Sequence, residues 1–190
     1  MKTVWVVGGP GCGKGTQCDR IKKKYGFLHI SSGDLLRDEV ASGSERGAAL
    51  QELMSKGLFV STDIVLELIK EKMDKAESEG LTKIGFLIDG YPRELDQGLL
   101  FEKKVCTVDL ILFFDVSNDT MTKRLLSRGK SSGRADDNAD AIKKRIEIFN
   151  EKNDKIIEHY KDKVVRINAE GSVDDVFQEA CKALDRLLAN

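Results

Sequence analysis

The chain has 190 residues, which is enough for one domain with a full hydrophobic core. Of these residues 41% are apolar and 33% are charged, and 31 basic against 32 acidic side chains give a formal charge of −1. This balance gives no reason to expect nucleic acid or a membrane as the main partner. Because we find neither a signal peptide nor an apolar run near the roughly 20 residues of a membrane span, we expect a cytoplasmic protein.

Five short runs of apolar residues predict buried strands. They cover residues 3–7, 27–30, 84–89, 109–116 and 164–168. The runs are nearly continuous rather than alternating, as is typical of parallel strands that are covered on both faces of a sheet.

Helical patterns lie between these runs. One begins near Thr62, the predicted N-cap, and ends at Gly80, and another begins after Ser172 as its N-cap. Strands that alternate with helices predict a single domain with a doubly wound α/β fold and a five-stranded parallel sheet. Residues 31–60 and 129–138 interrupt the alternation, and we expect both to be mobile covers.

A glycine-rich run, "VVGGPGCGKGTQC", joins the first strand to a helix. It matches the P-loop pattern G-x-x-x-x-G-K-[ST] at Gly8, Gly13 and Lys14, but Gly15 stands where the hydroxyl residue is usual. Backbone N–H groups and the helix N-terminus in this context form a cradle for phosphate. The run therefore predicts a nucleotide-binding site.

The missing hydroxyl changes how Mg²⁺ can be bound. We expect the ion to be held by phosphate oxygens, waters and the Thr16 hydroxyl, which comes one position late. Asp89 ends a predicted strand at the edge of the sheet where such folds bind ligands, and its carboxylate can hold Mg²⁺ through water. The simpler interpretation of Asp89 is a turn former at a strand end.

Six basic side chains stand at element ends or in the irregular stretches. They are Lys14, Arg37, Arg93, Arg128, Arg134 and Arg145. Phosphoryl transfer depends mainly on positioning and on neutralising charge, which arginines can do through bidentate contacts.

No general base accompanies these cations. The two histidines, His29 and His159, fall in a strand and a helix with no partner at useful spacing, so we expect both to be structural. An acceptor that is itself a phosphate needs no base, because it is mostly dianionic at neutral pH. The residues therefore predict a kinase whose acceptor is a phosphate.

The four cysteines predict no zinc site. Cys12, Cys18, Cys106 and Cys181 form no C-x-x-C pair, and their separations match no zinc-binding pattern. We interpret them as reduced, unlinked thiols. Cys12 lies inside the P-loop, where it is either a small filling residue or a reactive thiol.

Several motifs together resemble the adenylate kinase family of nucleoside monophosphate kinases, in its cytosolic short-lid type. They are "GGPGCGKGTQC", "SSGDLLR", "GFLIDGYPRELDQG", "LLSRGKSSGRADDN", "IKKR" and "NAEGSVDDVF", in the family's order and spacing. A glycine after the P-loop lysine is the rule in this family. The resemblance spans nearly the whole chain, with residues 31–60 as the monophosphate-binding segment and residues 129–138 as the lid segment.

The resemblance also implies roles for individual residues. The ATP-binding set is Gly11, Cys12, Gly13, Lys14, Gly15 and Thr16, with Arg128 and Gly171 against the adenine. The AMP-binding set is Ser32, Arg37, Leu58, Phe59, Val60, Gly90, Tyr91, Pro92, Arg93 and Gln97, with Arg134 and Arg145 closing on the transferred phosphates. The catalytic set is Lys14, Arg93, Arg128, Arg134 and Arg145. Asp136 and Asp137 would orient the arginines of the lid segment, and the Tyr91–Pro92 bond would be cis.

The expected reaction converts Mg-bound ATP and AMP into two ADP, in a monomer that maintains adenine nucleotide balance. The first alternative is a UMP/CMP kinase, which the lid motif also resembles. Tyr91 and Gln97 favour AMP, whereas Ser32 matches neither group. A regulatory ATPase would need Ser or Thr after Lys14, and a non-catalytic binding module would be expected to lack Lys14 or the arginines.

Overall fold

The computed structural model describes residues 1–58 and 60–189. Within them the strands are β1 Lys2–Gly8, β2 Leu28–Ser31, β3 Gly85–Asp89, β4 Leu110–Asp115 and β5 Val164–Asn168. The helices are α1 Lys14–Tyr25, α2 Ser32–Ala41, α3 Glu45–Ser55, α4 Thr62–Ser78, α5 Leu95–Lys104, α6 Asn118–Gly129, α7 Ala139–His159 and α8 Val173–Ala189. None of the helices described is long and apolar enough to cross a membrane.

The strands form one parallel sheet in the order β2-β3-β1-β4-β5, which confirms the predicted fold class. β1 lies at the centre, so the chain leaves it between β3 and β4. The register pairs Val6 with Asp89 and Gly8 with Phe114. Because all five strands run the same way, their carboxyl ends share one edge, and the P-loop and Asp89 emerge there side by side.

Both faces of the sheet are buried, which explains the continuous apolar runs. On one face Trp5 and Val7 of β1 belong to a core that also contains residues of α2, α4, α5 and α7. On the other face Val4 and Val6 pack with residues of α1 and α8. Successive residues of a strand point to opposite faces, so a strand buried on both sides needs apolar residues at nearly every position.

Most predicted element boundaries hold to within one or two residues. The N-cap of α4 is Ser61 rather than Thr62, which is the first helical residue. Ser172 does cap α8, since its Oγ accepts the Asp175 N–H at 3.1 Å. Asp109 lies just before β4, where its carboxylate accepts the N–H of Thr3 at 2.7 Å. We predicted that Asp109 is part of the strand. Instead, its side chain holds the start of β4 against β1.

The lid segment is short and begins inside α6, which ends at Gly129. Asn138 caps α7 through its Oδ1, and its Nδ2 donates to the Ser55 carbonyl at 3.1 Å. Gly57 also lies against Ala141 at the start of α7, so closely that an added Cβ would come within 2.7 Å of the Ala141 carbonyl oxygen. The lid segment and the monophosphate-binding segment are therefore in direct contact.

Gly85 is a position where the sheet needs glycine. Its φ is +143°, and a Cβ there would lie 1.9 Å from the Lys2 carbonyl oxygen on the neighbouring strand. We expect Gly85→Ala to lower the free energy of unfolding by roughly 1–3 kcal/mol more than Gly43→Ala does. Gly43 is a matched control, because it also has a positive φ (+71°) but no atom within 4 Å of an added Cβ. Urea denaturation of both variants measures the difference, and equal losses would contradict the overlap.

Candidate active site

The P-loop occupies the centre of the carboxyl edge. It leaves β1 at Gly8 and passes through Gly11 (φ +77°) and Gly13 (φ +95°) before α1 begins at Lys14. In the described structure no side chain caps the N-terminus of α1. The first N–H groups of the helix are therefore available to an anion, and the helix dipole favours one there.

Lys14 is held against the backbone of this loop. Its Nζ donates to the carbonyls of Gly8 at 2.7 Å and Gly9 at 2.9 Å, and it lies 3.5 Å from the Cys12 Sγ. An ammonium group has three donors. Phosphate oxygens of a bound nucleotide would take the place of these acceptors, so the lysine already lies where its charge is needed.

A cavity of about 570 Å³ opens beside the P-loop. Fourteen of the predicted site residues line it, and they come from the P-loop, the monophosphate-binding segment, the end of β3 with the loop after it, the lid segment and the two helices that flank the lid segment. These are Gly11, Gly13, Lys14, Gly15, Thr16, Arg37, Leu58, Asp89, Gly90, Pro92, Arg93, Arg128, Arg134 and Arg145. The fold thus brings together side chains that lie far apart in the sequence.

Two carboxylates orient the arginines around the lid segment, as the resemblance implies. Arg128 makes a bidentate ion pair with Asp137, with Nε–Oδ2 and Nη2–Oδ1 distances of 2.8 and 2.6 Å. Arg145 Nη1 lies 2.8 Å from Asp136 Oδ2 and 3.7 Å from Asp137 Oδ1. Ion pairs of this geometry fix the planes of both guanidinium groups.

The cations outnumber these anions. Burial and the nearby charges of Arg93 and Arg128 lower the pKa of Arg145 to about 10, although Asp136 opposes the shift. Burial, together with the charges of Arg37 and Arg128, also lowers the pKa of Arg134. Both groups remain charged at neutral pH. A phosphate bound among them would relieve their mutual repulsion, which makes the cavity selective for multiply charged anions.

A second, much smaller pocket of about 20 Å³ adjoins the cavity. It is lined by Ser32, Leu36, Val60, Val65, Gly90, Arg93 and Gln97, five of which belong to the predicted AMP-binding set.

Two polar side chains in this small pocket are already engaged. The Gln97 Oε1 accepts the Arg93 N–H at 2.8 Å, and the Ser32 Oγ donates to the Gly90 carbonyl at 2.9 Å. Gln97 therefore has its amide N–H groups left to offer a base, and Ser32 has only its acceptor lone pairs.

Three of the predicted residues lie elsewhere, and a fourth lies outside the described residues. The Cys12 side chain is 2% exposed and packs in the core, and Tyr91 is fully buried, with its Oη donating to the Gln97 carbonyl at 2.6 Å. The Tyr91–Pro92 bond is cis, as expected. Gly171 is exposed after β5 and lines neither cavity. Phe59 lies outside the described residues.

The oxygen ligands beside the P-loop suit Mg²⁺. Asp89 is 7% exposed, lines the cavity and presents its carboxylate at the end of β3. Thr16 lines the same cavity from the first turn of α1 and is exposed. Carboxylate and hydroxyl oxygens are hard ligands of the kind that Mg²⁺ prefers, and its retained waters can bridge the remaining distance.

Sequence reasoning missed Arg124 and did not place His29 near the site. Arg124 lines the cavity and donates to the carbonyls of Cys12 at 3.4 Å and Ala169 at 3.2 Å, so it connects the P-loop to the end of β5. Its position one helical turn before Arg128 was the available signal. The structure also places His29 at the cavity wall, where its Nε2 lies 3.5 Å from the Asp89 Oδ2.

The cavity is divided into a cradle for polyphosphate at the P-loop and a side that adjoins the small pocket, and arginines line it. That division suits transfer of a phosphoryl group from one nucleotide to another, and it defines a P-loop nucleoside monophosphate kinase. Comparison with protein families gives the more particular result. The family model described as "Adenylate kinase" matches residues 6–165, and the chain belongs to this family.

Several relatives with similar sequences align with nearly the whole chain. The chain is 56% identical over 184 residues to "Adenylate kinase isoenzyme 1" of Caenorhabditis elegans. This alignment covers 96% of the chain and 87% of the relative. It is 53% identical over 189 residues to the protein of that name from Gallus gallus and 50% identical over 188 residues to the one from Homo sapiens. Each of these two alignments covers 98% of this chain and 95% of the relative.

Proposed function

We propose that this chain catalyses the reversible transfer of the γ-phosphoryl group of Mg-bound ATP to AMP, giving two ADP. The observation that carries the proposal is the group of arginines that line the cavity beside the P-loop, with Arg93 also lining the small pocket. Oriented cations are what phosphoryl transfer between two anions requires. The names of the relatives support the same activity. We propose that this activity serves adenine nucleotide balance.

The donor nucleotide would bind at the P-loop. The N–H groups from Gly11 to Thr16 and the Lys14 ammonium would hold its phosphates. Mg²⁺, held through water by Asp89 and by Thr16, would neutralise charge on the same phosphates. Arg124, Arg128 and Gly171 would flank the adenine and its phosphates.

The acceptor would bind under the monophosphate-binding segment. Arg37 and Arg93 would hold its phosphate, and Gln97 would contact the base through its amide N–H groups. The acceptor oxygen attacks as a phosphate anion, so it needs no proton acceptor. Arg134 and Arg145 would neutralise charge on the group in transfer, and closure of the lid segment would exclude water.

The domain organisation of this proposal is a single kinase domain over residues 1–190, with the monophosphate-binding and lid segments as its moving parts. We propose that the protein acts as a cytoplasmic monomer on the free nucleotides ATP, AMP and ADP.

The deciding experiment offers AMP, CMP, UMP or GMP separately with Mg-ATP and measures ADP formation, alongside phosphate release without an acceptor. Fast ADP formation with AMP alone supports the proposal. Preference for CMP or UMP would establish the alternative of a UMP/CMP kinase, which the lid motif also resembles, and would mean that the Ser32 site outweighs Gln97. Phosphate release without an acceptor would favour a regulatory ATPase.

Gln97→Asn tests how the base is selected. The shorter side chain withdraws the amide N–H groups from the base by about one methylene and leaves the Arg93 N–H without its acceptor. We expect the preference for AMP over CMP, expressed as the ratio of kcat/KM values, to fall by roughly 10-fold to 100-fold. The same ratio in Gln51→Asn, an exposed position of α3, serves as the control. An unchanged ratio in Gln97→Asn would show that another residue selects the base.

A further inference from the structure

A cysteine, a histidine and a carboxylate converge below the cavity. Cys18 lies on α1, His29 on β2 and Asp89 at the end of β3. One ligand atom from each lies within 4.8 Å of the other two. The register pairs His29 with Leu87 and Ser31 with Asp89, so His29 and Asp89 share one face of neighbouring strands. Leu87 packs with Cys18 in the core under α1, which identifies that face.

The imidazole of His29 lacks a partner on the side that faces this group. Its Nε2 is buried and has no hydrogen bond to any described residue, although the Asp89 Oδ2 is 3.5 Å away. Its Nδ1 faces the Asp19 Oδ1 at 3.8 Å. A buried polar atom without a partner is costly. A carboxylate behind the imidazole and a metal ion in front of it is a recurring arrangement at metal sites.

We propose that Cys18, His29 and Asp89 form a binding site for a borderline-soft divalent ion, of which Zn²⁺ is the best suited, and that an ion bound there inhibits phosphoryl transfer. Sulfur and imidazole ligands favour Zn²⁺ over Mg²⁺. Tetrahedral Zn²⁺ bonds of about 2.0–2.3 Å place ligand atoms roughly 3.3–3.6 Å apart. The ligand atoms of the three side chains would therefore need to approach one another by roughly 1.2–1.5 Å at most.

The fourth position of this site would face the cavity. His29 and Asp89 line the cavity, whereas Cys18 is fully buried behind them. An ion can therefore enter from the nucleotide side, keep a water as its fourth ligand and release the thiol proton to solvent as the Cys18 thiolate binds. The ion would be an inhibitor and not a resident cofactor. The sequence analysis predicted that no structural zinc site is formed by the cysteines, and this proposal does not alter that prediction.

Inhibition would follow from the shared carboxylate, and this step rests on the proposed function. Asp89 is the residue proposed to hold Mg²⁺ through water, and Lys14 lies one helical turn before Cys18. An ion that takes the Asp89 carboxylate removes it from Mg²⁺ and adds positive charge beside Lys14. Raising the Mg²⁺ concentration should therefore relieve the inhibition.

Co²⁺ binding to the metal-free, full-length protein tests the site without reference to activity. We expect one equivalent to bind with a thiolate-to-cobalt charge-transfer absorption that Zn²⁺ abolishes. Cys18→Ser should remove this absorption, while Cys106→Ser and Cys12→Ser should keep it. If Cys18→Ser does not fold, His29→Gln tests the site in its place. This variant should bind Co²⁺ at least about tenfold more weakly than the wild type, whereas the control His159→Gln should bind it equally well. Absence of stoichiometric binding, loss of the band in Cys12→Ser, or unchanged binding in His29→Gln would each overturn the proposal.

A rate assay at buffered free Zn²⁺ tests the inhibition. The rate of ADP formation should fall as free Zn²⁺ rises and recover with added Mg²⁺, and the half-inhibiting concentration should be at least about tenfold higher in His29→Gln. Stoichiometric binding with no change in rate would overturn the inhibitory role. A chain that binds Co²⁺ but forms no ADP from AMP and Mg-ATP without zinc would refute the proposed function and leave the metal site standing.

Discussion

Lys14→Met is expected to lower kcat by about 10²-fold to 10³-fold while the fold survives. Methionine has a similar length and fills the same space, but it carries no charge to place on the β- and γ-phosphates. The ammonium group contacts the loop through the Gly8 and Gly9 carbonyls and the Cys12 Sγ, so few structural contacts are lost. Steady-state ADP formation measures the effect, and thermal unfolding checks the fold.

Lys23→Met is the matched control for this prediction. Lys23 lies on the same helix, is exposed and does not line the cavity. Its variant should retain the wild-type rate. Near-normal turnover in a folded Lys14→Met variant would contradict the role of the P-loop lysine.

Arg145→Ala is expected to reduce kcat by about 10³-fold, in the range of arginines that neutralise a phosphoryl group in transfer. The side chain is 18% exposed, points into the cavity and is oriented by Asp136. Arg145→Lys should recover less than about one tenth of the lost rate, because a lysine cannot reproduce a bidentate fork. Single-turnover rates of ADP formation at saturating nucleotide measure the chemical step.

A purely structural role for Arg145 would give a different result. Its removal leaves Asp136 and Asp137 with less compensation, so some loss of stability is expected in either case. The distinguishing measurement is kcat at a temperature where the variant is fully folded, with Lys143→Ala, an exposed position of the same helix, as the control. A folded Arg145→Ala variant with a normal rate would place Arg145 outside the chemistry.

The sequence was sufficient to predict the sheet, because a parallel strand buried on both faces leaves a continuous apolar run. It also predicted the phosphate cradle, because glycine positions between a strand and a helix are local in the chain. The Cys18, His29 and Asp89 group was not predictable in this way. Its members come from three elements, and only the register of β2 against β3 places two of them on one face.

Residue roles that depend on side-chain direction were equally hard to predict. Cys12 and Tyr91 stand in site motifs, yet their side chains point into the core. Arg124 belongs to no recognised motif, and it reaches the carbonyl of Cys12 in the P-loop because α6 packs beside that loop. A sequence motif therefore predicts which stretch of backbone lies at the site. Which side chains of that stretch face the cavity depends on how they pack in the folded protein.

The contact between Asn138 and Ser55 has a consequence for the order in which the two nucleotides leave. It is a hydrogen bond between the two segments that we propose to cover donor and acceptor, and a bond of this kind contributes about 1 kcal/mol. Once the lid segment or the monophosphate-binding segment opens and this bond breaks, the equilibrium constant for opening the other segment therefore rises by about fivefold. Departure of the first product would thus hasten departure of the second, and the enzyme would empty as a unit rather than one side at a time.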